Sequence, residues 1–360
     1  MICCINCFSD QGLKKRIEAL STISGTCNFC DSKGVIVINC GELSIAFEQI
    51  FDLYVLNGDA YKSLGHKTPV MIHEHMINYW PGLFDTKSLK SNMIKQLVNQ
   101  IGRGWGKYND EFFESPVEFG VLLNPPAGNS EDLLLQWDKF SEEIKSKNRF
   151  LFGEEIDKDI LGTYFEQLVF THPAGMSFHR ARISDSTLPL DQMGKPPHKY
   201  CTPGRANPVV IPYLYVSDSI ETTLYETRVA LHQGISVGKF ITKDTINVVS
   251  LRNIAEYGPF EIRDRAFDLE EFTLIRPYFQ RLEQELSKPV SKEDIHLDYL
   301  PTQYLCEFIK SLGFDAVEYK SAMHPNGYNL AIFNDSKLEC IDSVFYRVRN
   351  LTYDLQSIPS

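Results

Sequence analysis

Apolar positions change their period along this chain. Gly12 to Leu20 reads as a short helix. From Ile45 to about Lys147 the pattern is mostly helical: Ile45, Phe47, Ile50, Phe51, Tyr54 and Val55 recur at helix-like spacing. Leu89, Met93, Ile94, Leu97 and Ile101 then form one apolar stripe, and Leu133 to Ile144 repeats the pattern around Trp137 and Phe140. Pro116, Pro125, Pro126 and Gly128 break the run between helices. After Phe152 the runs become short, β-branched and aromatic: Tyr164–Phe170, Ser177–Ile183, Ile211–Val216, Ser236–Ile241, Asn247–Leu251, Ala316–Tyr319, Asn329–Phe333 and Glu339–Tyr346. Two helices interrupt them, Phe272–Leu286 and Thr302–Leu312, the second stopped by Gly313. The mixture predicts an α+β protein in three parts: a cysteine-rich segment over 1–40, a helical domain over 41–155 and an α+β domain over 156–350.

Charge narrows the partners. Lys and Arg number 36 against 47 Asp and Glu, a net charge of −11, so the broad positive field that non-specific nucleic-acid binding needs is missing. No stretch reaches the roughly 18 apolar residues of a membrane span; Val35 to Leu56 comes nearest and is interrupted by Asn39, Glu42, Glu48 and Asp52. The N-terminus has neither the basic nor the apolar region of a signal peptide. These features predict a cytoplasmic protein with reduced thiols and no membrane contact.

Six of the nine cysteines fall within the first 40 residues. Cys4-x-x-Cys7 and Cys27-x-x-Cys30 are separated by nineteen residues. Each pair presents two thiolates on a tight turn, and the intervening helix returns the chain so that the pairs meet. Four thiolates at this spacing suit a closed tetrahedral zinc site with no position open to substrate, a structural zinc knuckle. Cys3 competes with Cys4 for one ligand position, and four unliganded thiols are the plain alternative. His73-Glu74-His75 lacks the spacing of the HExxH zinc motif, since position 77 is Ile. Gly102-Arg103-Gly104-Trp105-Gly106 follows a helix and lacks the Lys-Ser/Thr ending of a phosphate loop.

The chemistry concentrates in the last 190 residues. Phe178-His-Arg-Ala-Arg182 puts Arg180 and Arg182 on one face of a strand, where guanidinium groups suit phosphate or carboxylate. Arg205 sits in a turn-rich loop that leads into a strand carrying Tyr213 and Tyr215. Ser219 caps a helix that ends in Glu226, and Tyr319-Lys-Ser321 closes a strand ahead of Gly327-Tyr-Asn329. Singly, each is an ordinary surface charge or core tyrosine, and Glu226 has Arg228 close by in sequence. Together they describe a nucleotide-sized cleft with arginines, tyrosines and one carboxylate.

Phe178 to Phe333 resembles the RES domain family. The resemblance rests on Phe178-His-Arg-Ala-Arg182, Gly194-x-Pro196-Pro197, Gly204-Arg-Ala-Asn-Pro208, Ile211-Pro-Tyr-Leu-Tyr215, Thr222/Thr223 with Glu226, and Ile235-Ser-Val-Gly-Lys-Phe240. It continues through Asp298-Tyr-Leu-Pro-Thr-Gln303, Glu307-Phe-Ile309, Gly313-Phe-Asp315, Tyr319-Lys-Ser321 and Gly327-Tyr-Asn-Leu330. The Arg, Glu and Ser that name the family match Arg180, Glu226 and Ser321, and Ala316 stands where the family commonly has Gly. The preceding region is similar to the HEPN-like domains that often accompany RES domains, without the Arg-x4–6-His pair of the active ribonucleases.

The resemblance implies an ADP-ribosyltransferase-like fold and a toxin or phage-defence effector that consumes NAD, restrained by an antitoxin or sensor protein. It implies a glycohydrolase or, with inorganic phosphate as acceptor, a phosphorylase. In that reading Arg180, Glu226 and Ser321 are catalytic; Arg182, Arg205, Tyr213, Tyr215 and Asn329 bind the dinucleotide; and Cys4, Cys7, Cys27 and Cys30 hold zinc. The rivals are a protein ADP-ribosyltransferase and an inactive NAD-binding or zinc-dependent interaction protein.

Overall fold

The computed structural model describes residues 1–56, 70–104, 106–123, 125–126, 128–151, 156–288 and 295–351. The chain divides into two compact units, one formed by Met1–Leu134 with Asn253–Gln280 and the other by Leu135–Arg252 with Arg281–Ser360. Trp105, in the glycine-rich run, lies outside the described residues.

The first unit begins with strand β1 (Ile2–Cys4), helix α1 (Gln11–Leu20), β2 (Ser24–Thr26) and β3 (Lys33–Asn39), the strands forming an antiparallel sheet in the order β1-β3-β2. Asp10 caps α1, its carboxylate accepting from Leu13 N at 3.1 Å, and its other oxygen accepts from Phe260 N at 2.9 Å. One buried side chain therefore ties the N-terminal helix to the 253–280 segment. Gly82 serves the same end: a Cβ there would collide with the Glu256 carbonyl. Helices α2 (Ser44–Phe51), α3 (Ile72–Tyr79) and α4 (Ser91–Arg103) bury Phe47, Ile50, Met76, Leu97 and Ile101 in the unit's core.

The helix expected to run through Val55 stops at Phe51. Tyr54–Leu56 is instead strand β4, paired with β5 (Val117–Phe119), because Tyr54 stacks on Phe119 across the pair with ring centroids 4.8 Å apart. His75, on α3, lies among these rings, its Nε2 3.3 Å from Glu118.

The second unit takes in the end of α5 (Ser130–Ser146), then α6 (Lys158–Gln167), and is built on an eight-stranded mixed sheet. Its strands are β6 (Val169–His172), β7 (Ser177–Ile183), β8 (Leu214–Ser217), β9 (Gly234–Thr242), β10 (Ile246–Leu251), β11 (Ala316–Lys320), β12 (Tyr328–Ile332) and β13 (Leu338–Arg347), in the order β13-β9-β7-β8-β12-β11-β10-β6. Only β10 and β11 run parallel; the other neighbours are antiparallel. Helix α7 (Ile220–Thr227) follows β8; α8 (Leu269–Ser287), which belongs to the first unit as far as Gln280, and α9 (Leu300–Ser311) come before β11 in the chain.

Two expected strands are corrected. Residues 164–167 belong to α6, because Asp157 accepts from Asp159 N and Ile160 N and starts a helix that buries Leu161, Tyr164 and Phe165 on one face. The strand proper begins at Val169. Pro212 has no N–H to offer a ladder, so the run from Ile211 becomes strand only at Leu214.

Strand alternation places Tyr319 and Glu318 on opposite faces of β11. On the Glu318 side its carboxylate, fully buried, takes His172 Nε2 at 2.8 Å, Ser250 Oγ at 3.0 Å and the Arg252 guanidinium, pinning β6, β10 and β11 together. No helix among the described residues is long and apolar enough to cross a membrane.

Candidate active site and cysteine cluster

The four cysteines of the two Cys-x-x-Cys turns come together. Their sulfurs all lie within 4.8 Å of one another, with Cys4–Cys30 and Cys7–Cys27 at 3.4 Å, Cys7–Cys30 at 3.8 Å and Cys4–Cys7 at 3.9 Å. None is in a disulfide. A tetrahedron of sulfurs about 2.3 Å from a central zinc has edges of about 3.8 Å. The cluster therefore fits a tetrahedral metal ion, with Cys4 rather than Cys3 as the fourth donor.

The cleft of the second unit arises where the sheet parts. Strands β7 and β8 share a single register pair, His179 with Ser217. Beyond it the strands separate, and side chains replace the ladder. Arg180 Nη1 donates to the Tyr215 carbonyl at 2.8 Å, and Ala181 N donates to Thr223 Oγ1 on α7 at 2.9 Å. Helix α7 is started by Ser219, whose Oγ accepts from Thr222 N at 3.1 Å, and its last turn carries Glu226. The resulting cavity of about 510 Å³ is lined by Arg180, Arg205, Tyr215, Glu226, Arg228, Tyr319 and Asn329 among others. That volume suits a small organic ligand.

Glu226 is held by two donors on one oxygen. Ser321 Oγ donates to Oε1 at 2.5 Å and Asn329 Nδ2 donates to the same atom at 2.8 Å. Both donors are themselves oriented. Asn329 Oδ1 accepts from Ser217 Oγ at 2.7 Å, which fixes the amide so that its nitrogen faces Glu226. Ser321 Oγ accepts from Met323 N at 3.1 Å and His324 N at 3.0 Å, so its one proton is directed at the carboxylate. Oε2 accepts no hydrogen bond from the described residues.

Arg180 is a half-buried cation of the cleft. Burial, helped by the charge of Arg182, pushes its guanidinium down to about 10, which leaves it cationic at neutral pH. Its Nε has no partner among the described residues. Burial likewise raises the Tyr215 and Tyr319 hydroxyls, keeping both neutral.

The other expected site residues divide. Arg205 lines the cavity, yet its Nη1 donates to the carbonyls of Leu286 at 2.6 Å and Lys288 at 2.7 Å, at the end of α8. Tyr215 uses its hydroxyl to hold the loop before β8, donating to Asn207 Oδ1 at 2.7 Å and accepting from Ala206 N at 3.1 Å. Gly204 permits that closeness, since a Cβ there would stand 2.8 Å from the Tyr215 hydroxyl. Arg182 lies elsewhere: it donates to the Gln192 carbonyl at 2.5 Å and lines a separate cavity of about 390 Å³ with Lys195. Tyr213 is buried against Phe333, ring centroids 4.8 Å apart, and does not line the Glu226 cavity.

Sequence reasoning named Tyr319 and Arg228 without giving either a site role, and did not single out His324. Tyr319 was visible as the alternate position to Val317 on β11. His324 connects to the site twice, through its backbone N to Ser321 and through Nδ1 to Thr222 Oγ1 at 3.0 Å. Its ring stacks on Tyr225 at 5.2 Å between centroids. Nothing in the sequence marked it, because the contact depends on how the loop between β11 and β12 folds back.

No curated protein matches the chain. Among solved structures it is similar to a chain of the M. tuberculosis MbcT–MbcA toxin–antitoxin complex, with 15% identity, 53% of this chain and 93% of that chain covered, and a TM-score of 0.32. The family model for the RES domain matches residues 178–355, a stretch that starts in β7 and contains Arg180, Glu226, Ser321 and Asn329. The C-terminal part of this chain is a RES domain.

Proposed function

We propose that this protein is an NAD-consuming enzyme that breaks the bond between ribose and nicotinamide, and that it serves as a toxin or phage-defence effector restrained by an antitoxin or sensor protein. The observation that carries the reading is the Glu226 carboxylate, fixed through Oε1 by Ser321 and Asn329 with Oε2 uncommitted, in the same cavity as Arg180. Nicotinamide leaves a cationic ring as a neutral one. The C1′–N bond breaks with its electron pair going to the ring nitrogen, so no general acid is needed. The electron-poor ribose carbon that remains needs a nearby negative charge, and one carboxylate is enough. This separates the site from ordinary glycosidases, which use a pair.

In this reading Glu226 Oε2 accepts from a ribose hydroxyl and stabilises the positive charge that develops on the sugar. Arg180 binds the diphosphate through its unmade donors, and the neutral Tyr215 and Tyr319 rings flank the cavity. Water attacking C1′ gives ADP-ribose and releases its proton to solvent; inorganic phosphate gives the phosphorylated sugar. Zinc bound by Cys4, Cys7, Cys27 and Cys30 stabilises the first unit and takes no part in the chemistry, since four thiolates close its coordination shell.

Glu226→Gln tests the reading. Loss of one preorganised electrostatic group lowers turnover by about 10²–10³, with the fold retained. Chromatography of the products with and without phosphate identifies the acceptor, and label retained on a protein would reveal transfer instead. Parental NAD loss in the variant would remove Glu226 from the mechanism.

A further inference from the structure

We propose that Arg228 is the second guanidinium of an anion subsite in the Glu226 cavity, one that takes the diphosphate of a dinucleotide. The ligand class rests on the NAD reading above; the anion subsite rests on the geometry. A diphosphate carries two negative charges, and Arg180 alone leaves one of them unmatched. Of the other arginines of the expected site, Arg205 lines the cavity but gives its Nη1 to two carbonyls at the end of α8, and Arg182 donates to the Gln192 carbonyl and lines a different cavity.

Arg228 lines the cavity two residues beyond Glu226. Its contact is Met323 Sδ at 3.8 Å, a weak acceptor, and it makes no bond to a carboxylate or carbonyl among the described residues. Met323 in turn gives its backbone N–H to Ser321 Oγ, so the guanidinium rests against the loop that positions Glu226. The backbone at Arg228 adds to the case. It caps α7 in the left-handed region, φ +51°, where glycine is the usual residue. A cation at a helix C-terminus is ordinarily explained by hydrogen bonds to the last carbonyls. Here the side chain makes none of them and turns to the cavity instead.

Three proteins test the proposal: the parental chain, Arg228→Gly and Arg228→Lys. Glycine suits φ +51° without strain, so the first variant removes the side chain and keeps the cap, and matching thermal melts confirm the fold. ADP binding is measured by calorimetry, and turnover is compared for NAD and for nicotinamide riboside, which has no diphosphate. Arg228→Gly should weaken ADP binding about 10- to 100-fold, as expected for losing a charge-assisted contact. It should raise KM for NAD by a similar factor and leave nicotinamide riboside turnover unchanged. Arg228→Lys should fall between, having charge without the two-pronged geometry. Equal ADP affinity in the parental chain and Arg228→Gly, or no ADP binding by the parental chain, overturns the subsite. ADP binding that depends on Arg228 in a chain that leaves NAD intact would keep the subsite and reject the NAD reading.

Discussion

Removing the Ser321 hydroxyl is a sharp perturbation of the site, because the hydrogen bonds around it leave that proton one destination. Met323 N and His324 N occupy its acceptor side at 3.1 Å and 3.0 Å, and Glu226 Oε1 receives the proton at 2.5 Å. Ser321→Ala deletes a hydrogen bond to a charged acceptor, worth about 1.5–3 kcal/mol. Asn329 still holds the same oxygen, so the carboxylate keeps one anchor and gains freedom to swing about it. If the placement of Oε2 matters chiefly in the transition state, that energy appears as a fall in kcat of about 10- to 150-fold, with KM for NAD little changed. The two backbone N–H groups released are in a partly exposed loop and can be rehydrated. The melting temperature should therefore move by no more than about 4 °C, the shift for about 1 kcal/mol in a unit of this size. The assay pairs steady-state NAD loss with a thermal melt. Adding Asn329→Ala should give a non-additive double mutant, since both side chains serve one oxygen. Parental kcat in Ser321→Ala, or strict additivity in the cycle, would refute the idea that a doubly anchored oxygen sets the reactive one.

The cysteine cluster predicts one zinc per chain by elemental analysis and a tetrahedral thiolate spectrum after cobalt substitution. Chelation or Cys27→Ser should lower the melting temperature of the first unit; a metal-free chain with an unchanged melt would reject the site. Asp10 predicts a pH dependence of stability. Burial raises its carboxyl from 3.8 to about 6, above its unfolded value, so the native state holds the proton more tightly. Stability from this group is full below about pH 4 and declines as pH rises through about 6. Asp10→Asn should flatten that part of the stability profile relative to the parental chain, and parallel profiles would show that Asp10 does not titrate there.

The residues that the sequence marked most clearly are those whose chemistry is local. Ser177–Ile183 is a strand with the expected limits, Ser219 is the cap of α7, and the two Cys-x-x-Cys turns converge, because strand period, capping and turn spacing are short-range properties. Less legible was anything set by tertiary contact. Tyr54 and Val55 continue a helical spacing, yet stacking against Phe119 made them a strand. The membership of 253–280 in the first unit rests on Asp10 reaching Phe260 and on Gly82 admitting the Glu256 backbone, contacts between positions far apart in the chain. Within the site, Arg180 and Arg182 share a strand face but line different cavities, Arg180 drawn to the Tyr215 carbonyl and Arg182 to that of Gln192. Residue type nominated both arginines; only the carbonyls they reach, distant in sequence, distinguish them.

The parting of β7 from β8 has a mechanical consequence. One residue pair stitches β13-β9-β7 to β8-β12-β11-β10-β6, and Arg180 reaches across the rift from one flank while Asn329 secures Glu226 on the other. A molecule gripped at once by Arg180 and Glu226 would act as a rivet through the weakest line of the sheet, so occupancy and cohesion rise together.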